Sequence, residues 1–219
     1  MQVTAIQLQL PWENSISPEE VSTPSIPIYT IGYGNRSMDQ FLELLRRYHI
    51  EFLVDVRSQP YSRANQPFSR DGLEKTLKNC GMRYIFMGDT LGGRPRDESC
   101  YIDGRVNYLQ VREKAFYQKG ITHLRHAWER QTPVALMCAE IKPHECHRSK
   151  LIGNSLCELH IDVAHIDESG NLKQQGEINK LLLGDQLPLF HDQPPSTMLN
   201  ERINLSRKKY VLPGERRYE

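Results

Sequence analysis

From Ile26 onward the chain alternates short β-branched runs with stretches whose apolar residues recur at helical spacing. IPIYTIGYG reads as a strand closing on a glycine turn, after which Ser37 and Gln40 form a capping-box signature and Phe41, Leu44, Leu45 and Tyr48 mark one helical face. Phe52 to Arg57 (FLVDVR) predicts a second buried strand, DGLEKTLKNCG a second helix ending at Gly81, and RYIFMG a third strand. A long loop follows from Asp89 to Asn107. Tyr108 to Gln131 predicts a helix broken at Gly120, VALMCAE a fourth strand, Pro143 to His160 another helix, and VAHIDE a short fifth strand. With few hairpin signals, this order predicts a single Rossmann-like α/β domain whose mainly parallel sheet of about five strands carries helices on both faces.

The ends read differently. Residues 1–25 mix prolines and serines with polar residues and are expected to form an arm before a core at 26–168. In the extension at 169–219, a short amphipathic piece around Glu177 to Leu183 leads into GDQLPLF and a polar tail. A length of 219 residues suits one domain with tails. Lysine plus arginine number 28 against 27 acidic residues, so no whole-chain field steers the protein to DNA or anionic lipid, and any nucleic-acid contact has to be local. The five cysteines form no even, closely spaced framework, as expected for reduced thiols in a cytoplasm. The first residues lack an export signal, and no apolar run approaches the ~18 residues of a membrane span, so the expectation is a soluble, cytoplasmic protein without a membrane partner.

The richest chemistry lies in VALMCAEIKPHECHRSKL, Val134 to Leu151, where a strand delivers Cys138 and Glu140 into a loop and a helix opens with Cys146, His147 and Arg148. Strand ends facing helix starts are where open α/β sheets bind ligands, because N–H groups there are unpaired and the helix dipole favours anions. Arg148 shares a helical stripe with Ile152, Leu156 and Leu159, which points it inward over the sheet edge and His147 elsewhere. An inward arginine needs an anion, either a native carboxylate such as Asp55 or a bound ligand. Leu53, Asp55 and Arg57 share one strand face. Other loops expected at this edge carry Gly32, Tyr33, Gly34 and Asn35, then Arg57, Ser58, Ser62 and Arg63, then Gly92, Gly93 and Arg94.

Cys138 suits either packing or a thiolate, Glu140 an acid or base, and Cys146 a competing nucleophile. The two cysteines could also form a redox disulfide, or bind metal with His144 or His147. A lone Cys-x7-Cys spacing fits no common zinc pattern, so no metal and no cofactor is assigned. Gly32, Gly34 and Ser37 match a dinucleotide fingerprint weakly, since Ser37 replaces its third glycine. A cysteine-to-arginine phosphate loop is unsupported, because Cys138 and Arg148 lie too far apart in sequence.

TIGYGN, DVRSQPYSR, LGGRP and LMCAEIKPHECHR, in that order, closely resemble the domain of unknown function 488 family over Ile28 to Asp167. That resemblance implies an α/β domain with a shared site, and places its motif at Gly32, Asn35, Asp55, Arg57, Ser58, Pro60, Ser62, Arg63, Gly92, Gly93, Arg94, Cys138, Glu140, Cys146, His147 and Arg148. It implies no reaction. The family commonly has histidine or tyrosine in the place of Tyr33. In the tail, Gln186, Leu187, Pro188, Leu189 and Phe190 resemble the peptide by which bacterial replication and repair proteins dock on the DNA sliding clamp. The alternative is that Leu187, Leu189 and Phe190 pin the tail to its own domain. A basic segment, Arg202 to Arg217, could brush phosphate or remain solvated.

The resulting expectation is an enzyme, a hydrolase or transferase, acting on a phosphorylated metabolite, nucleotide or nucleic-acid end. Arg57, Arg63, Arg94 and Arg148 would hold the anion, Asp55 would orient an arginine, and Glu140 or Cys138 would take part in chemistry. The alternatives are a non-enzymatic adaptor for nucleic-acid maintenance recruited through QLPLF, and a redox sensor using Cys138 and Cys146.

Overall fold

The computed structural model describes residues 25–63, 65–183 and Ser206. The N-terminal arm, the QLPLF peptide and the basic tail therefore lie outside the described residues. Five parallel strands, β1 (Ile28–Gly32), β2 (Phe52–Asp55), β3 (Arg83–Phe86), β6 (Val134–Cys138) and β7 (Val163–Ile166), with antiparallel β8 (Leu172–Gln174) at one edge, form a sheet of order β3-β2-β6-β1-β7-β8. β6 is central and buried along its whole length, which is why VALMC is an unbroken apolar run and shows no alternation.

Side chains alternate across the sheet and build two cores. Ile31, Leu53, Ala135 and Met137 pack under helices α1 (Met38–Arg47) and α2 (Arg70–Asn79). Val54, Leu136 and Cys138 pack under α3 (Tyr108–Arg112), α4 (Ala115–Glu129) and α5 (Asn154–Glu158). α1 starts where expected, on a complete Ser37–Gln40 capping box, and buries Phe41, Leu42, Leu44 and Leu45. Gly81, at φ +74°, ends the second helical turn region as a left-handed residue.

Three local expectations are corrected. The helical stretch from Tyr108 breaks at Glu113–Lys114, between α3 and α4, and not at Gly120. Gly120 lies inside α4 because a Cβ there would come 2.6 Å from Leu91, so the glycine admits a neighbour and leaves the helix intact. The loop from Asp89 to Asn107 contains a hairpin, β4 (Tyr101–Ile102) and β5 (Arg105–Val106), turned by Asp103 and Gly104 at positive φ. The stretch from Pro143 is not one α-helix: a 3-10 turn (Pro143–Glu145) and a π-helical turn (Arg148–Gly153) precede α5.

Beyond residue 168, β8 extends the sheet and α6 (Gln175–Leu183) packs behind it, with Gln175 and Ile178 buried. Among the described residues no helix is long and apolar enough to cross a membrane.

Candidate functional site

The carboxyl ends of β1, β2 and β6 meet at one edge, where Gly32 is level with Cys138 and Asp55 with Met137. A cavity of about 370 Å³ opens there. Its wall includes Arg57 and Ser58 after β2, Gly93 and Arg94 from the loop after β3, and Cys138, Glu140 and His147 from β6 and the segment beyond. Tyr33, Tyr61 and Tyr108 supply aromatic surface, and Gln59, Ala139, Glu145 and Ser206 complete the lining.

Under the cavity, Asp55 is fully buried and grips Arg57 with both oxygens: Nε donates to Oδ1 at 2.9 Å and a terminal nitrogen to Oδ2 at 2.6 Å. The Tyr84 hydroxyl donates to the same Oδ2 at 2.8 Å. This fork follows from strand geometry, since residues two apart point to the same side. Burial works against the Arg57 charge, and the Asp55 hydrogen bond and charge outweigh it, so its pKa is raised. The guanidinium lies 5.3 Å from the Tyr33 ring centre, and Tyr33 in turn stacks on Phe68 at 4.5 Å. The remaining Arg57 nitrogen, Nη1, is buried with no hydrogen-bond partner among the described residues. The Asp55–Arg148 pair, one of the two alternatives offered by the sequence, does not form; Asp55 is saturated by Arg57 and Tyr84.

Across the cavity, Glu140 Oε2 accepts from Cys138 Sγ at 2.8 Å and from Cys146 Sγ at 3.3 Å. His147 Nδ1 faces both sulfurs at 3.7 Å, while Nε2 meets the Val56 carbonyl oxygen at 3.1 Å. A carbonyl only accepts, so the proton sits on Nε2 and Nδ1 turns a lone pair toward the sulfurs. The bond to Cys146 and then burial push the Cys138 thiol well up. Burial opposes the Glu140 charge but is outweighed by the Cys138 hydrogen bond and by His147, which bring its carboxyl down to about 2. Burial likewise opposes a proton on His147, and the Cys138 sulfur and Glu140 carboxylate outweigh it, raising its pKa. The ligand atoms of Cys138, Cys146 and His147 all lie within 4.8 Å of one another, a grouping that the sequence offers among several and that its Cys-x7-Cys spacing leaves unassigned. His144 stands apart, 4.0 Å from Glu145.

His147, expected to point elsewhere, lines the cavity, whereas Arg148 is fully buried and does not. The physical reason is the 3-10 and π-helical turns, which advance each residue by a different angle from an α-helix and so rotate the facing positions. Arg148 donates to the Ile141 carbonyl at 2.9 Å, and its Nε and Nη1 have no hydrogen-bond partner among the described residues.

Several motif residues build the wall without lining it. A Cβ on Gly32 would fall 1.9 Å from the Glu140 carbonyl oxygen, so glycine there permits the approach of the Glu140 backbone. Gly92 makes room for Gly88 and Ser58 in the same way, and Gly93 for the His147 ring. The Tyr33 and Gly34 N–H groups, expected to face an anion, instead donate to the Cys138 and Ala139 carbonyls. Asn35 and Arg63 are exposed away from the cavity, and Ser62 accepts from the Asn65 N–H within its own loop. Ser58 Oγ accepts from the Arg94 N–H at 2.8 Å, tying two walls together. Two aromatic residues of the wall are not among the residues singled out from the sequence: Tyr61, although it lies within DVRSQPYSR, and Tyr108.

 Tyr108 reaches the wall from the first turn of α3, capped by the Asn107 side chain, and no sequence motif marks it.

A family model described as Domain of unknown function DUF488 matches residues 37–153, just over half of the chain. The matched span takes in β2, β6 and the segment to Gly153, and leaves β1 and Tyr33 outside. No curated protein and no solved structure matches the chain.

Proposed function

This chain belongs to the DUF488 family, and from that premise we propose that it is an enzyme acting on a phosphorylated small molecule or nucleotide bound in the cavity. The observation that carries this reading is Arg57: a guanidinium anchored on Asp55, with one buried nitrogen left to donate, in the wall of a cavity of ligand size. Arg94 adds a second cation to the lining, and Tyr33, Tyr61 and Tyr108 offer surface for a base or sugar ring. Glu140 shares the cavity and supplies a carboxylate for proton transfer, with Cys138 beside it.

The test is calorimetric titration with a panel of nucleotides and phosphorylated metabolites, followed by turnover assays on whatever binds. Arg94→Ala, at an exposed position, is expected to weaken binding about tenfold while leaving the fold intact, as loss of one charge-assisted hydrogen bond of ~1.5 kcal/mol would. Arg57→Lys, which keeps the charge but loses the fork, is expected to weaken it further. Unchanged affinity in both variants would overturn the assignment.

A further inference from the structure

We infer that Cys138, Cys146 and His147 form a zinc-binding site whose fourth position opens to the cavity. Tetrahedral zinc with bonds of about 2.3 Å to sulfur and about 2.0–2.1 Å to nitrogen holds those atoms roughly 3.6 Å apart. Nδ1 of His147 lies 3.7 Å from each of the two sulfurs, so the spacing already matches two edges of that tetrahedron. The imidazole is also oriented as a ligand: Nε2–H is held by the Val56 carbonyl at 3.1 Å, which fixes the tautomer with Nδ1 free toward the sulfurs.

The donor set selects the ion. Two thiols and one imidazole favour zinc over magnesium or calcium, which take oxygen. All five cysteines are free, so neither sulfur is committed to a disulfide. On coordination each of the two thiols releases its proton to solvent, and the metal takes the place of both S–H bonds.

Cys138 and His147 line the cavity, while Cys146 lies behind it, so the metal would be approached from the cavity side. Glu140 now accepts from both sulfurs, and loss of those two protons leaves its carboxylate unshared beside the metal. Two cysteines, a histidine and a non-ligating glutamate make up a set that zinc enzymes use to activate water. This deepens the enzyme reading only in that last respect; metal binding itself stands without it.

The test titrates the reduced full-length chain with Co²⁺ and Zn²⁺ in the absence of any organic ligand. One ion per chain is expected, with the thiolate-to-cobalt charge-transfer absorption of a tetrahedral site. Cys146→Ser and His147→Gln are expected to weaken zinc on the order of 100-fold, the upper end of what even outer ligands cost. Cys80→Ser and Cys157→Ser serve as controls and should change nothing. Because the wild-type spectrum needs no variant, a variant that fails to fold leaves the test standing.

Three results would overturn the inference: no thiolate absorption from folded, reduced wild type; undiminished binding in both ligand variants; or a Cys138–Cys146 disulfide that forms equally fast with and without zinc, which would identify a redox pair. Nucleotide titration in the presence of a chelator is read separately, so failure of the anion pocket and failure of the metal site are distinguishable.

Discussion

The segments that follow β2 and β6 both leave a buried parallel strand at the same sheet edge, yet they treat buried charge in opposite ways. After β2, Asp55 and Arg57 neutralise each other within two residues, and Tyr84 takes up the remaining demand of the carboxylate. After β6, Glu140 leans on two thiols, and among the described residues Arg148 has one carbonyl for its whole guanidinium. The first arrangement is a rigid mount that leaves one guanidinium nitrogen, Nη1, without a partner among the described residues. The second is held by weak sulfur contacts, and so can exchange partners at low cost.

The largest expected effect comes from breaking the rigid side. Asp55→Ala strands a buried guanidinium and is expected to cost about 3–5 kcal/mol in urea unfolding. A loss below about 1 kcal/mol would mean that the pair is solvated like a surface bridge and that the contrast is false.

A pH-dependent effect, smaller near pH 5 and comparable near pH 3, belongs to a histidine of β7 beside Arg148. His165 on β7 is buried, with Thr30 Oγ1 and Gln175 Oε1 each 2.7 Å from a ring nitrogen. Burial first, and then the Arg148 charge, lower its pKa to about 3. The unfolded chain takes up this proton near the ordinary value of 6.5, whereas the folded chain does not. Stability from this group is therefore complete above pH 6.5 and falls as the pH drops toward 3, by at most about 1.4 kcal/mol per pH unit. Imidazole resonances in NMR check this directly: His165 should remain neutral at pH 5, and titration near 6.5 would contradict its burial beside Arg148.

The smallest effect is expected from Arg148→Met. Replacing a buried charge that has no carboxylate partner among the described residues by an apolar chain of similar length should change stability by less than about 1 kcal/mol or increase it. A loss as large as that of Asp55→Ala would show that Arg148 has a partner as strong as a carboxylate, and would erase the difference between the two segments.

Much of the fold was legible. The Ser37–Gln40 cap, the apolar run of β6 and the glycine after α2 each report a local backbone requirement, and each stands where its pattern put it. The Asp103–Gly104 hairpin is readable too, since that dipeptide tolerates positive φ at both positions, although the stretch around it reads as loop. In the site, Arg57, Ser58, Gly93, Arg94, Cys138, Glu140 and His147 line one cavity. The orientation of His147 and Arg148 was not readable, because a helical wheel drawn at α-helical pitch fails once 3-10 and π-helical turns intervene.

Sequence by itself determined the alternation of strands and helices, the strand ends that carry polar residues, and the Asp55–Arg57 proximity inherent in a period of two, because all of these are set by neighbours along the chain. Only the tertiary structure decided that Asp55 serves Arg57 and not Arg148, and that two cysteines and a histidine face one point. Those are contacts between segments, whose geometry depends on strand order and helical phase, and neither is written in local spacing.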